Sequence, residues 1–233
     1  MTTLPYSTAL IVGAGPGISA SLAHALSAAG LKVGLAARNT DKLAALAEET
    51  GARAFSADVA DAAGVTQLFR QVDAAIGEPD VVVFNASARA RGAIADLDPE
   101  TVRRAVEISA LGGFYVTREA AIRMVPKGRG AILLTGATAS VKGFPLSSSF
   151  AMGKFALRGL AQSAARELGP KGIHVAHFVI DGGVRSAVRA DPGDNPDSTL
   201  DPDGVAQSYL AVLAQPRNAW SWEVELRPWV ERF

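Results

Sequence analysis

Residues 9–19 read ALIVGAGPGIS. Ala9 to Val12 are uniformly apolar, as a strand buried on both faces requires. Gly13, Gly15 and Gly17 follow, and Ile18 opens a segment of helical period. Glycines at such a turn reach backbone conformations that other residues resist. They also let main-chain amides approach an anion at a helix N-terminus. Close strand–helix packing alone would use the same residues, so the placement, after a strand and before a helix, is what points to anion binding.

Working outward, six further strand-like runs follow: KVGLAAR (32–38), RAFSADV (53–59), DVVVFNAS (80–87), GAILLTGAT (130–138), IHVAHFVIDG (173–182) and WEVELRP (222–228). Helix-like stretches separate them, such as DKLAALAEET with Asp41 near its start and Gly51 just past its end. Continuous alternation of strand and helix implies right-handed crossovers and a mostly parallel sheet with both faces covered. The expected architecture is a doubly wound, Rossmann-type α/β fold with seven strands, as one domain spanning residues 1–233. One stretch breaks the rhythm: ADPGDNPDSTLDPDG (190–204) carries three Pro, two Gly and five Asp. It reads as a solvated loop. Because it follows the C-terminal end of a strand, where open α/β sheets bind ligands, it also reads as a flap, making 182–204 the candidate substrate loop.

The 233 residues balance 23 Lys and Arg against 23 Asp and Glu. A chain without net charge has no electrostatic reason to hold nucleic acid or an anionic membrane. No cysteine is present, which excludes thiolate chemistry and disulfides. His174 and His177 have odd spacing on one strand and should face opposite ways, so no metal site is expected. No apolar run reaches the roughly 20 residues of a membrane span, and the N-terminus lacks the pattern of a signal peptide. A cytoplasmic location is the resulting expectation.

The second strand ends in LAARN (35–39), with Arg38 and Asn39 where NAD-binding chains place an acid for the adenosine ribose hydroxyls. A guanidinium suits a 2′-phosphate, so NADP(H) is expected over NAD(H).

With these residues in place, the chain resembles the short-chain dehydrogenase/reductase family over essentially its full length. The resemblance rests on GAGPG after the first strand, SADV after the third, FNAS after the fourth, and Lys154 on the long helix. It implies that Gly13, Gly15, Gly17 and Ile18 hold the cofactor, that Asp58 and Val59 flank the adenine, and that Asn85 and Ala86 run along it. Ser186 matches a threonine that contacts the carboxamide. It further implies hydride exchange between nicotinamide and a carbonyl or alcohol carbon of a small molecule, in a homodimer or homotetramer.

The family's active site is an Asn-Ser-Tyr-Lys tetrad, and here its positions hold Ser109, Ala137, Phe150 and Lys154. Only the lysine matches. The usual proline after strand six is Asp181, and the third loop glycine is Ser19. No tyrosine stands seven residues before Lys154 either; that residue is Ser147. Candidate substitutes are Thr138, whose hydroxyl follows Ala137, and Asp181, either a proton donor or simply a cap or an ion-pair partner of Arg185. Lys154 can hold the nicotinamide ribose and itself act as an acid, while one of Ser147, Ser148 and Ser149 is expected to cap the helix. Three readings stay open: an NADP(H)-dependent oxidoreductase with an atypical acid, a catalytically silent dinucleotide-binding protein acting through a partner, and a lyase or hydrolase on the same fold. The tail holds Trp220, Trp222 and Trp229, which suit either packing of the last strand or an oligomer interface.

Overall fold

A computed structural model describes residues 4–186, 189–191, 193 and 195–231. All seven expected strands form: β1 (Thr8–Val12), β2 (Lys32–Ala37), β3 (Arg53–Ser56), β4 (Val81–Phe84), β5 (Gly130–Thr135), β6 (Ile173–Ile180) and β7 (Glu223–Leu226). They make one sheet in the order β3-β2-β1-β4-β5-β6-β7, parallel throughout. In register, Ile11 of β1 lies between Leu35 of β2 and Val83 of β4. The order reverses between β1 and β4, and there the outgoing loops diverge to leave a crevice at the carboxyl edge.

Alternating side chains feed two cores. Ile11, Val83, Leu133 and Phe178 pack under α1 (Ile18–Ala28) and α7 (Pro202–Leu213). Leu10, Val82, Phe84 and Ile132 pack under α3 (Ala62–Ile76), α5 (Gly112–Met124) and α6 (Ser148–Leu168). Each fully buried Leu, Ile or Phe contributes about 1.5–3 kcal/mol. α2 (Ala44–Thr50) closes on Gly51 at φ 68°, a left-handed residue that ends the helix as expected.

Two local features differ from the sequence reading. The Asp- and Pro-rich loop stops earlier, because Asp201 caps α7 by accepting from the Asp203 amide at 3.0 Å and Pro202 takes the first helical turn. None of the serines before Phe150 caps α6 through its side chain. Instead, Ser149 is buried and bridges to the segment after β4, donating to the Ala90 carbonyl (2.8 Å) and accepting from its amide (2.9 Å).

Between α4 (Pro99–Val106) and α5, residues Glu107–Leu111 make one π-helical turn that buries Ser109. Ser109 accepts from the Ala88 amide at 3.2 Å and presses on α6 where Gly153 stands; a β-carbon there would lie 2.6 Å from that of Ser109. A glycine at 153 is what brings Lys154 this close to the sheet.

Candidate active site

The crevice at the β1/β4 divergence continues into two adjoining cavities. The first, about 370 Å³, is walled by Gly13, Gly15, Arg38, Lys42, Asp58, Val59, Asn85 and Ala86 among others. Gly13 has φ 85°, and a β-carbon on it would strike the Ala86 amide at 2.3 Å. The two loops therefore touch only because residue 13 is glycine. Gly17, at φ 82°, starts α1 without any side-chain cap, and around Gly15 and Gly17 a β-carbon would meet open space. Uncapped helix amides beside an open glycine turn fit the pyrophosphate of a dinucleotide.

Arg38 and Lys42 stand together at the end of β2 with no ion-pair partner among the described residues, while Asp41 is not part of this wall. Lys42 is a second cation that the LAARN motif did not reveal; it lies four residues beyond Arg38, across the short helical turn that enters α2. Asp58 is the wall's carboxylate. Partial burial opposes its ionisation, but the Ala60 amide (3.0 Å) and the Arg104 guanidinium together hold it below the usual carboxylate range. Asn85 donates to Ser19 Oγ at 2.7 Å, and Ser19 donates to the Gly13 carbonyl at 3.2 Å. The serine in place of a loop glycine thus ties β4 to the glycine turn.

The second cavity, about 350 Å³, lies beyond Asn85 and Ile18. Its wall brings together Lys154, Phe150, Ala137 and Thr138, with Phe144, Ser147, Arg89 and Arg189. Lys154 is only 3% exposed and donates to the Thr135 carbonyl at 2.7 Å. Burial pushes its pKa down to about 8. The Phe150 ring lies beneath the Arg89 guanidinium, 4.1 Å from its centroid, and 5.8 Å from the Lys154 ammonium. Thr138 keeps a hydroxyl without a protein partner among the described residues.

Several expected residues fall elsewhere. Asp181 is buried and pairs with Arg227 at 3.1 Å, not with Arg185, and it does not line the cavity. Arg185 instead meets Asp201 (2.7 Å) and Asp191 (3.5 Å). Ser186 is exposed, exchanges main-chain hydrogen bonds with Arg189 and lines neither cavity. Of the candidate flap, Gly182, Val184 and Arg189 reach the cavity, and residues 187, 188, 192 and 194 lie outside the described residues. Trp220 stacks on His174 (4.6 Å) and Trp222 sits near Arg158 (5.6 Å), so both pack within the chain, whereas Trp229 is 81% exposed.

Arg89 and Arg189 went unnoticed in the sequence. Arg89 follows Asn85 by four residues at the carboxyl edge of β4, a ligand-binding position in this architecture. His177 faces away from His174 and supports the floor of the site. Its Nδ1 meets Glu223 Oε2 at 3.1 Å, and Glu223 is held by Arg158 at 2.6 and 2.8 Å. A β-carbon on Gly136 would lie 2.3 Å from His177 Nε2, so the ring packs directly beneath that glycine.

A larger open groove of about 580 Å³ lies between α3 and α5, but its Arg123, Asp73 and Glu119 satisfy one another.

Residues 7–196 match the family model described as short chain dehydrogenase. The chain belongs to the short-chain dehydrogenase/reductase family. A solved short-chain dehydrogenase from Rhodopseudomonas palustris is 36% identical, with a TM-score of 0.83 over 96% of this chain and 99% of that one. A metagenomic short-chain oxidoreductase in complex with NADP is 25% identical, with a TM-score of 0.82 over 95% of this chain and 97% of that one. An uncharacterized oxidoreductase of Staphylococcus aureus (strain N315) is 27% identical over 98% of this chain and its own full length. The family binds a nicotinamide dinucleotide. Among the described residues no helix is long and apolar enough to cross a membrane.

The buried histidine under the site makes stability depend on pH. Burial, only partly offset by Glu223, holds the His177 pKa down at about 4, against about 6.5 when unfolded. Between those values the unfolded chain takes up a proton that the folded chain refuses, so stability falls as pH falls from about 6.5 and the loss is complete near 4. The integrated loss is ~3 kcal/mol. Urea unfolding of the wild type and His177→Gln across this range should show the wild type losing that much more on acidification; His174, common to both proteins, cancels. Parallel curves would sink the assignment.

Proposed function

We propose that the chain is an NADP(H)-dependent oxidoreductase acting on a small carbonyl or alcohol, with an active site that lacks the family's usual phenol. The observation that carries this reading is the pair of adjoining cavities: an uncapped glycine turn with Arg38 and Lys42 at one end, and buried Lys154 at the other. Gly13, Gly15, Gly17 and Ile18 would hold the pyrophosphate, Arg38 and Lys42 a 2′-phosphate, Asp58 and Val59 the adenine, and Asn85, Ala86 and Lys154 the nicotinamide riboside. When bound, NADP(H) supplies hydride chemistry.

The residues left to manage the substrate oxygen differ from the family's. Phe150 and Ala137 stand where the tyrosine and serine belong, and Ser109 takes the asparagine position. Without a positioned phenol the rate should fall by ~10²–10⁴. Lys154, with a pKa near 8, can still give up a proton from Nζ, and the Thr138 hydroxyl can steady the substrate oxygen. Gly182, Val184 and Arg189 support a substrate-facing role for the 182–204 segment within a single 1–233 domain.

Calorimetric titration tests the cofactor reading. NADPH should bind at least ~10-fold tighter than NADH, and Arg38→Gln should remove most of that preference, since a charge-assisted contact contributes ~1.5–3 kcal/mol. Tighter NADH binding would reverse the preference, and binding of neither nucleotide would end the oxidoreductase reading.

Restoring the missing groups probes the chemistry. The Phe150→Tyr/Ala137→Ser double variant should reduce a panel of ketones ~10²-fold or more faster than the wild type. NADPH binding without turnover in both proteins would favour a catalytically silent dinucleotide-binding protein.

Assembly is proposed to run through α5 and α6, which expose Phe114 (47%), Met152 (54%) and Phe155 (45%). Light scattering should give a dimer or tetramer that Phe114→Glu/Phe155→Glu breaks to monomer; a monomeric wild type rejects this.

A further inference from the structure

We infer that the second cavity selects an anionic substrate: a carbonyl compound carrying a carboxylate or phosphate, held by Arg89 and Arg189 while its carbonyl faces Lys154 and Thr138. The inference rests on the proposed oxidoreductase reading for the carbonyl, but the anion site stands on its own observations.

The cavity wall carries three cations, Lys154, Arg89 and Arg189, and no Asp or Glu among the described residues. Several arginines elsewhere in this chain meet carboxylates: Arg104 with Asp58, Arg123 with Asp73, Arg158 with Glu223, Arg185 with Asp201. Arg89 and Arg189 have no such partner among the described residues. Arg89 is placed by an aromatic face, stacked 4.1 Å above the Phe150 centroid, which leaves the N–H edges of its guanidinium free to donate. Arg189 is placed by a glycine: its Cδ and Nη1 would lie 3.1 Å from a β-carbon on Gly183, so the side chain rests on bare backbone. The Ser186–Arg189 main-chain bridge fixes the base of that side chain.

Both guanidiniums are thus positioned without being neutralised. Positive charge from two separate segments on the wall of a 350 Å³ cavity favours an anion over a neutral ligand of the same shape. The cofactor's own phosphates do not account for these two residues, because the glycine turn, Arg38 and Lys42 line the other cavity and Arg89 and Arg189 do not. Lys154 is the deep cation, 3% exposed, whereas both arginines belong to exposed residues. That gradient sets the orientation, with the anionic group toward the mouth and the carbonyl toward Lys154.

The test is calorimetric titration of the full chain, alone and saturated with NADPH, with two matched pairs: 4-oxopentanoate against its methyl ester, and dihydroxyacetone phosphate against dihydroxyacetone. In at least one pair the charged member should bind ~10-fold or more tighter, and the pair that discriminates identifies carboxylate or phosphate as the favoured group. Arg89→Gln and Arg189→Gln should each weaken the charged member ~10-fold and leave the neutral member and NADPH unchanged; retained NADPH affinity also reports a folded variant. On the unaltered protein, added NaCl should erode the preference.

Neutral members binding as well as charged ones, no member binding although NADPH does, or a preference that survives in Arg89→Gln/Arg189→Gln would each overturn the inference. If NADPH does not bind but the charged members do, with the same arginine dependence, the cofactor reading fails and the anion site remains.

Discussion

A lysine only 3% exposed, its ammonium anchored on one carbonyl, is the constraint around which the site is arranged. Its depressed pKa, about 8, measures what burial costs the charged form: ~3 kcal/mol at neutral pH. That penalty is fully present below pH ~8, where the lysine is charged folded and unfolded, and it fades as pH rises toward the unfolded value of ~10.4. The placement requires α6 to lie hard against its neighbours. Gly153 admits the buried Ser109, and Gly113 admits Leu157, whose Cδ1 would lie 2.5 Å from a β-carbon there. The π-helical turn is the third part of this fit, since it delivers Ser109 to α6 and to the Ala88 amide together. An ammonium has three donors and this one has a single protein partner, so its remaining donors are available to whatever fills the cavity.

The end of β5 is held from both faces of the sheet. On one face the Thr135 carbonyl accepts from Lys154; on the other its hydroxyl meets the Tyr209 hydroxyl at 2.9 Å. Tyr209 is fully buried, and burial raises its pKa above the ordinary phenol value. It therefore serves as a protonated strut and not as a replacement acid. His177 and Glu223 play the corresponding part on the α6 face, with a neutral ring under Gly136 and a carboxylate locked by Arg158. These polar contacts keep the carboxyl ends of β5 and β6 in register where a substrate would lie, and none of them offers a proton at neutral pH.

The sheet was legible because apolar runs alternating with helical periods admit few other arrangements, and all seven runs became strands. The glycine turn, Arg38, Asp58 and Asn85 share one cavity wall because each is tied to a fixed place at the end of a strand. What escaped were contacts between residues distant in sequence. For Asp181 the sequence offers a proton donor, a cap or an ion pair with Arg185, four residues away, but a partner from beyond β7, Arg227, pairs with it instead. Ser149 looked like a cap because it opens a helix, yet its burial against Ala90 gave it two better hydrogen bonds. Arg89 was invisible for the same reason, since its significance comes from the ring of Phe150, sixty-one positions later.

That ring changes what the site can do. A phenol at residue 150 would offer a proton, whereas phenylalanine offers only a face, and Arg89 occupies it. A guanidinium stays charged at neutral pH, so it stabilises negative charge but does not deliver a proton. On the proposed reading, the two tasks that a tyrosine combines are therefore divided. Lys154 Nζ, near pH 8, is the group able to move a proton, while Arg89 and Arg189 act on charge that the ligand carries throughout. Charge present in both ground and transition states aids binding more than it lowers the barrier. On that reading a pocket so divided gains selectivity for its ligand at the expense of rate, the balance expected where phenylalanine and alanine stand at residues 150 and 137 beside Lys154, Arg89 and Arg189.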